Sequence, residues 1–77
     1  MGWRTYLVMY FGSNGKAVSE IVKEVESLGF EAALGPADFL YDWKNKAPTK
    51  QDVFALADKL TKVLKGSGVI FNIETHD

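Results

Sequence analysis

Hydrophobic and polar residues alternate with two different periods along this chain, and the period changes at turn residues. Residues 3–11 are rich in aromatic, β-branched and apolar side chains and end at Gly12, which predicts a strand buried on one face. Apolar residues then recur in steps of three and four, which predicts a helix that stops at Gly29. Its apolar positions are Val18, Ile21, Val22, Val25 and Leu28. Ser13 and Asn14 are candidate caps, so the helix is expected to follow the turn at once.

The second half of the chain changes period in the same way. Residues 30–34 and 37–43 predict two short strands joined by a turn at Gly35 and Pro36. Thr49, followed by Asp52, predicts a capping-box start for a second helix that residues 66–68 end. Its apolar stripe is Val53, Leu56, Ala57, Leu60, Val63 and Leu64. Residues 69–75 alternate as a last strand, and residues 75–77 are expected to be a frayed tail.

The order of these elements predicts one α+β domain spanning residues 1–77. Strand, helix, two strands, helix and strand is the βαββαβ order of ferredoxin-like domains, with two helices on one face of a four-stranded antiparallel sheet. The hydrophobic fraction of 47% with 25% charged residues is typical of a folded globular chain. At 77 residues, folding buries only about 60% of the surface that the unfolded chain exposes. One face of the sheet is therefore expected to stay open.

Strand alternation predicts which side chains face the helices. The first strand directs Thr5, Leu7, Met9 and Phe11 inward, and the last strand directs Val69, Phe71 and Ile73 inward. The third strand has two possible registers. We favour the one that places Phe39, Tyr41 and Trp43 inward, because the other would bury Asp38 and Asp42 at a cost of several kcal/mol unless each were paired.

The open face is then expected to carry an apolar patch with a polar rim. The patch consists of Tyr6, Val8, Tyr10, Leu40 and Ile70, and the rim of Arg4, Asp38, Asp42, Asn72 and Glu74. An apolar centre with a polar rim is the anatomy of a protein–protein contact, so we predict a homodimer or a protein partner on this face. The alternative is an ordinary, partly exposed sheet surface. RNA binding through the aromatic side chains is a third interpretation, which the acidic third strand disfavours.

The turn after the first strand is the candidate site for an anion or small ligand. It consists of Gly12, Ser13, Asn14, Gly15 and Lys16. A glycine-containing turn before a helix can present free N–H groups and the positive end of the helix dipole. The layout resembles that of ACT-type regulatory domains, whose turn after the first strand can bind an amino acid, and this resemblance implies a regulatory ligand-binding domain. Helix capping alone is the competing explanation of the turn.

The sequence shows no constellation for catalysis or for a cofactor. It contains no cysteine, and its single histidine, His76, falls in the predicted tail. Asp38 and Asp42 would be about 13 Å apart along a strand, too far to hold one ion together. The net charge of −1 argues against strong nonspecific binding to nucleic acid or to an anionic membrane. We expect a cytoplasmic, non-catalytic binding domain without cofactor or metal and with no membrane segment.

Overall fold

The computed structural model describes residues 2–77 and contains the predicted succession of elements. In chain order they are β1 (Arg4–Tyr10), α1 (Val18–Ser27), β2 (Glu31–Ala32), β3 (Phe39–Asp42), α2 (Lys50–Leu64) and β4 (Ile70–His76). The strands form one sheet in the order β2-β3-β1-β4, and every neighbouring pair is antiparallel. The predicted α+β, ferredoxin-like βαββαβ fold is confirmed.

The core lies between the sheet and the two helices. It is built from one face of β1 and β3 together with the apolar stripes of α1 and α2. The buried apolar residues are Leu7, Met9, Ile21, Val25, Phe30, Phe39, Leu56, Leu60 and Leu64. Both helices contribute from the same side, and the opposite face of the sheet is left uncovered by the described part of the chain.

The predicted register of the third strand is confirmed. Phe39 is buried, and Tyr41 and Trp43 pack against the core with their ring centroids 4.8 Å apart. The inward residues of the last strand also pack against the core, as predicted. On β1 the prediction fails only at Phe11, which is 42% exposed because the strand ends at Tyr10.

The start of the first helix differs from the prediction. α1 begins at Val18, its N-cap residue is Ala17, and no side chain caps it. The predicted capping role of Ser13 and Asn14 is therefore wrong. The turn is held instead by the connection between α2 and β4, because the backbone N–H of Lys16 donates to the carbonyl oxygen of Ser67 at 3.2 Å.

The middle of the chain follows the prediction in type but not in length. β2 has two residues and both are exposed, whereas a strand over 30–34 was expected. The hairpin turn lies at Gly35, whose φ of +91° is a conformation that glycine adopts readily.

The capping box at Thr49 is confirmed: its backbone N–H donates to Asp52 Oδ2 at 2.9 Å, and the Asp52 N–H donates to Thr49 Oγ1 at 3.1 Å.

The C-terminal residues form a strand rather than the predicted tail. β4 continues to His76, which pairs with Arg4, and Thr75 pairs with Thr5. Thr5 is fully buried, and its Oγ1 accepts a hydrogen bond from Trp43 Nε1 at 2.8 Å and lies 2.7 Å from Thr75 Oγ1. This network of hydroxyl and indole groups joins β1, the end of β3 and β4 on the helix side of the sheet.

Candidate binding surface on the open sheet face

The strand registers bring the five predicted patch residues onto one face. Tyr6 lies opposite Leu40 on β3, and Tyr10 lies opposite Ile70 on β4. Val8 lies between the two tyrosines along β1, with Asn72 as its partner on β4. Residues that lie opposite each other across antiparallel strands point to the same side of the sheet. The apolar patch therefore crosses β3, β1 and β4.

Exposure varies along the apolar patch. Tyr6, Val8 and Leu40 are half-buried among their neighbours, whereas Tyr10 is 56% exposed and Ile70 is 71% exposed. Covering Tyr10 and Ile70 would remove the most apolar surface from water, and such burial contributes about 25 cal/mol per Å². The exposed end of the patch has the most to gain from a partner.

A groove at the other end of the face includes four residues beyond the predicted patch and rim. The groove has a volume of about 270 Å³ and is lined by Tyr6, Leu34, Pro36, Ala37, Glu74 and His76. The His76 ring stacks on the Tyr6 ring with centroids 4.8 Å apart and an angle of 20° between the planes. Leu34 is fully exposed beside the hairpin turn. Continuing the alternation of the predicted last strand by one residue, to His76, would have placed that side chain on this face. No sequence signal shows that the hairpin loop reaches the face.

Carboxylates dominate the rim of the open face. Asp42 lies opposite Arg4, and Glu31 and Glu74 belong to the row that contains Tyr6 and Leu40. The pKa of Arg4 is raised, mainly by its hydrogen bond with Tyr6. The nearby carboxylates of Asp42 and Glu31 raise it by smaller amounts.

Asp38 adds another carboxylate beside β1. Its Oδ2 accepts a hydrogen bond from the backbone N–H of Met9 at 2.8 Å, beyond the last paired residue of β3. The Asp38 backbone N–H donates to the carbonyl oxygen of Leu7 at 2.9 Å. The open face is therefore apolar at its centre and acidic around it.

In the turn predicted to bind an anion, Gly15 and Lys16 make close contacts within the chain. Lys16 Nζ lies 2.8 Å from Glu24 Oε1, and its hydrogen bond with Glu24 raises the pKa of Lys16. Gly15 packs so closely on Ser67 that an added Cβ would lie 1.8 Å from the Ser67 carbonyl oxygen. The N–H groups of Glu20 and Ile21 already donate to the carbonyl of Ala17. These contacts join the turn to α1 and to the connection before β4. Anion binding at the turn stays a prediction.

Among residues 2–77, no three His, Cys, Asp or Glu side chains are grouped so that they could hold a metal ion. No helix in that part of the chain is long and apolar enough to cross a membrane.

Comparison with known proteins supports the fold and adds no functional information. No protein-family model and no curated protein matches the chain. A solved structure, that of hypothetical protein MJ1052 from Methanocaldococcus jannascii, is similar with a TM-score of 0.60 and 10% sequence identity. The match covers 99% of this chain and 79% of that chain. At this identity the likeness concerns the fold alone.

Proposed function

We propose that this domain is a non-catalytic binding module that docks a protein partner on its open sheet face. The observation that carries the proposal is the uncovered apolar patch, in which Tyr6 pairs with Leu40 and Tyr10 pairs with Ile70 across three strands. Aromatic side chains at the centre of a patch and charged groups at its rim are the usual arrangement of a specific protein contact. The two helices cover the other face of the same sheet, where the core lies.

The charges on the rim indicate the chemistry of the partner. Four carboxylates surround the patch, and Arg4 supplies the opposing positive charge. The carboxylates are those of Glu31, Asp38, Asp42 and Glu74. A partner with an apolar centre and lysine or arginine around it would complement this face and associate faster. Self-association through this face is the second form of the proposal, and it is less favoured because two copies meeting face to face would bring their carboxylates together.

A random-peptide display library, selected against the purified domain, tests this proposal without a known partner. We expect the enriched peptides to combine aromatic or aliphatic residues with lysine or arginine, and to shift the amide resonances of Tyr6, Val8 and Tyr10. Val8→Glu should abolish their binding. Val18→Glu is the matched control, because it makes the same change at a residue of α1 that is 50% exposed on the helix side.

Tyr10→Glu supplies a second variant at a more exposed position, should Val8→Glu unfold the sheet. Peptides that bind both open-face variants as tightly as the wild type would remove this face from consideration. So would peptides that lose affinity for Val18→Glu instead. Light scattering of the same proteins over a concentration series reports self-association, which Val8→Glu abolishes if two copies meet through the open face.

A further inference from the structure

The outer edge of β4 is a second surface, and residues 2–77 leave it without a partner strand. β4 lies at one end of the sheet order β2-β3-β1-β4, and it is seven residues long, whereas the opposite edge strand β2 has two residues. All seven residues are in continuous register with β1. Natural proteins shorten, bend or charge an exposed edge to prevent unwanted pairing, and lysine and proline are common devices. β2 is shortened, whereas β4 contains neither lysine nor proline.

The direction of the backbone groups on β4 follows from the bonds that β1 makes to the other side. Trp43 N–H donates to the carbonyl of Trp3, the residue before β1, at 2.9 Å. Odd-numbered residues of β1 therefore direct their backbone groups toward β3. Direction alternates along an antiparallel strand, so the even-numbered residues face β4 and bond to their even-numbered partners there. The N–H and C=O groups of Phe71, Ile73 and Thr75 therefore point outward along the free edge.

We propose that a second copy of this chain pairs with this edge, β4 against β4, in an antiparallel register centred on Ile73. This is the only symmetric register that pairs all seven residues of the strand. Phe71 then lies opposite Thr75 of the second copy, and each such hydrogen-bonded pair exchanges two N–H···O bonds. The two four-stranded sheets become one continuous sheet.

The charges on β4 fit this register. Glu74 lies opposite Asn72 of the second copy, whose amide can donate to the carboxylate, and Ile70 lies opposite His76. A shift of the centre by one residue, to Glu74, would place the two Glu74 carboxylates directly opposite each other, which is destabilising. The strand is thus complementary to itself in the register that gives the longest overlap.

The helix layer adds a complementary shape at both ends of the same edge. Phe54 on α2 is 63% exposed and lines a groove of about 300 Å³ that includes Thr75. At the other end of β4, a groove of about 470 Å³ is lined by residues of the α2 C-terminus together with Val69 and Phe71. The register places Thr75 opposite Phe71 of the second copy. It therefore brings Phe54 of each copy beside the other copy's groove at the α2 C-terminus. Two equivalent aromatic contacts would then flank the paired strands.

Sedimentation velocity and amide hydrogen exchange on the full chain test the proposal together. We expect a concentration-dependent dimer in which the amides of Phe71, Ile73 and Thr75 become protected as dimer forms. The Asn72 and Glu74 amides, which bond to β1, should be protected at every concentration. Phe54→Glu should weaken the dimer about tenfold or more, as expected when an aromatic side chain buried in a contact is replaced by a charge.

Val18→Glu and Val8→Glu are the controls, because they alter α1 and the open face and should leave the edge dimer unchanged. A second edge variant, Ile73→Pro, removes an outward N–H and should also abolish the dimer. A chain that stays monomeric at its highest soluble concentration would overturn the proposal. So would a dimer whose Phe71, Ile73 and Thr75 amides exchange as fast as in the monomer. A dimer lost only in Val8→Glu would instead support association through the open face.

Discussion

Replacing Thr5 with valine tests the hydrogen-bond network that joins the central strand to both of its neighbours. The Thr5 side chain is completely buried, and its hydroxyl accepts from the indole N–H of Trp43 at 2.8 Å. It also shares a hydrogen bond with the Thr75 hydroxyl, with the two oxygens 2.7 Å apart. Valine has nearly the shape of threonine but cannot take part in either bond. The substitution therefore removes the polar contacts without opening a cavity.

The expected loss of stability follows from the groups left without a partner. A buried donor or acceptor that loses its hydrogen bond costs about 1–3 kcal/mol. The Trp43 indole and the Thr75 hydroxyl are only partly buried, so water can replace part of what each loses. We therefore expect a total decrease of about 1–3 kcal/mol in the free energy of unfolding. A chain of this length is stable by about 4–12 kcal/mol, so the loss is a large fraction of the whole.

Urea unfolding followed by circular dichroism measures this difference. Thr61→Val is the matched control, because the Thr61 hydroxyl donates to the Ala57 carbonyl at 3.0 Å on an exposed helix surface. Its effect should stay within about 0.5 kcal/mol. In Thr5→Val, thermal unfolding should also move down by about 4–8 °C for each kcal/mol lost. The Trp43 indole proton should exchange faster with solvent.

A double-mutant cycle separates the network from other effects of the substitution. Thr5→Val and Thr75→Val remove the same hydroxyl contact, so their combined effect should be smaller than the sum of the two. If Thr5→Val changed stability no more than Thr61→Val, or if the two substitutions were additive, the network would not stabilise the sheet and the reasoning would be refuted.

Two further predictions concern the joint between the layers and the start of α2. Gly15→Ala should destabilise the fold by about 1–3 kcal/mol, because its Cβ would lie 1.8 Å from the Ser67 carbonyl oxygen, whereas Gly12→Ala, with its nearest contact at 3.3 Å, should cost less in the same urea experiment. Hydrogen bonds from the backbone and then the hydroxyl of Thr49 hold the pKa of Asp52 below its ordinary value. The resulting stabilisation is present above the ordinary aspartate pKa and is lost as pH falls through the lowered one. Thermal melts should therefore show the wild type more stable than Asp52→Asn at neutral pH and equal to it in acid; a difference that is independent of pH would contradict this.

The parts of the fold that local chemistry determines could be predicted from the sequence. The capping box of α2 needs only Thr49 and Asp52, and both hydrogen bonds form. The register of β3 could be predicted because the cost of burying Asp38 and Asp42 outweighs any gain from exposing the aromatic side chains. Phe39 is buried accordingly.

The errors arose where contacts between distant residues decide the structure. Ser13 and Asn14 have the right chemistry for a cap, but the turn that contains them is positioned by Ser67, which is about fifty residues away in the sequence. The end of the chain was expected to fray because termini usually do, yet pairing with β1 and the stacking of His76 on Tyr6 hold it in the sheet. The apolar patch needed only strand alternation, whereas the position of Leu34 depends on how a loop folds.

The two proposed surfaces are compatible because they use different directions of the same sheet. Pairing along β4 extends the sheet in its own plane, and the symmetry of an antiparallel pair keeps the helices of both copies on one side. The open faces then lie side by side on the other side, with Ile70 of one copy next to His76 of the second. A dimer would present two acidic, apolar-centred patches to a single partner, so a partner with two basic segments would gain affinity from simultaneous contact. Self-association at the edge would in this way strengthen recognition at the face without occupying it.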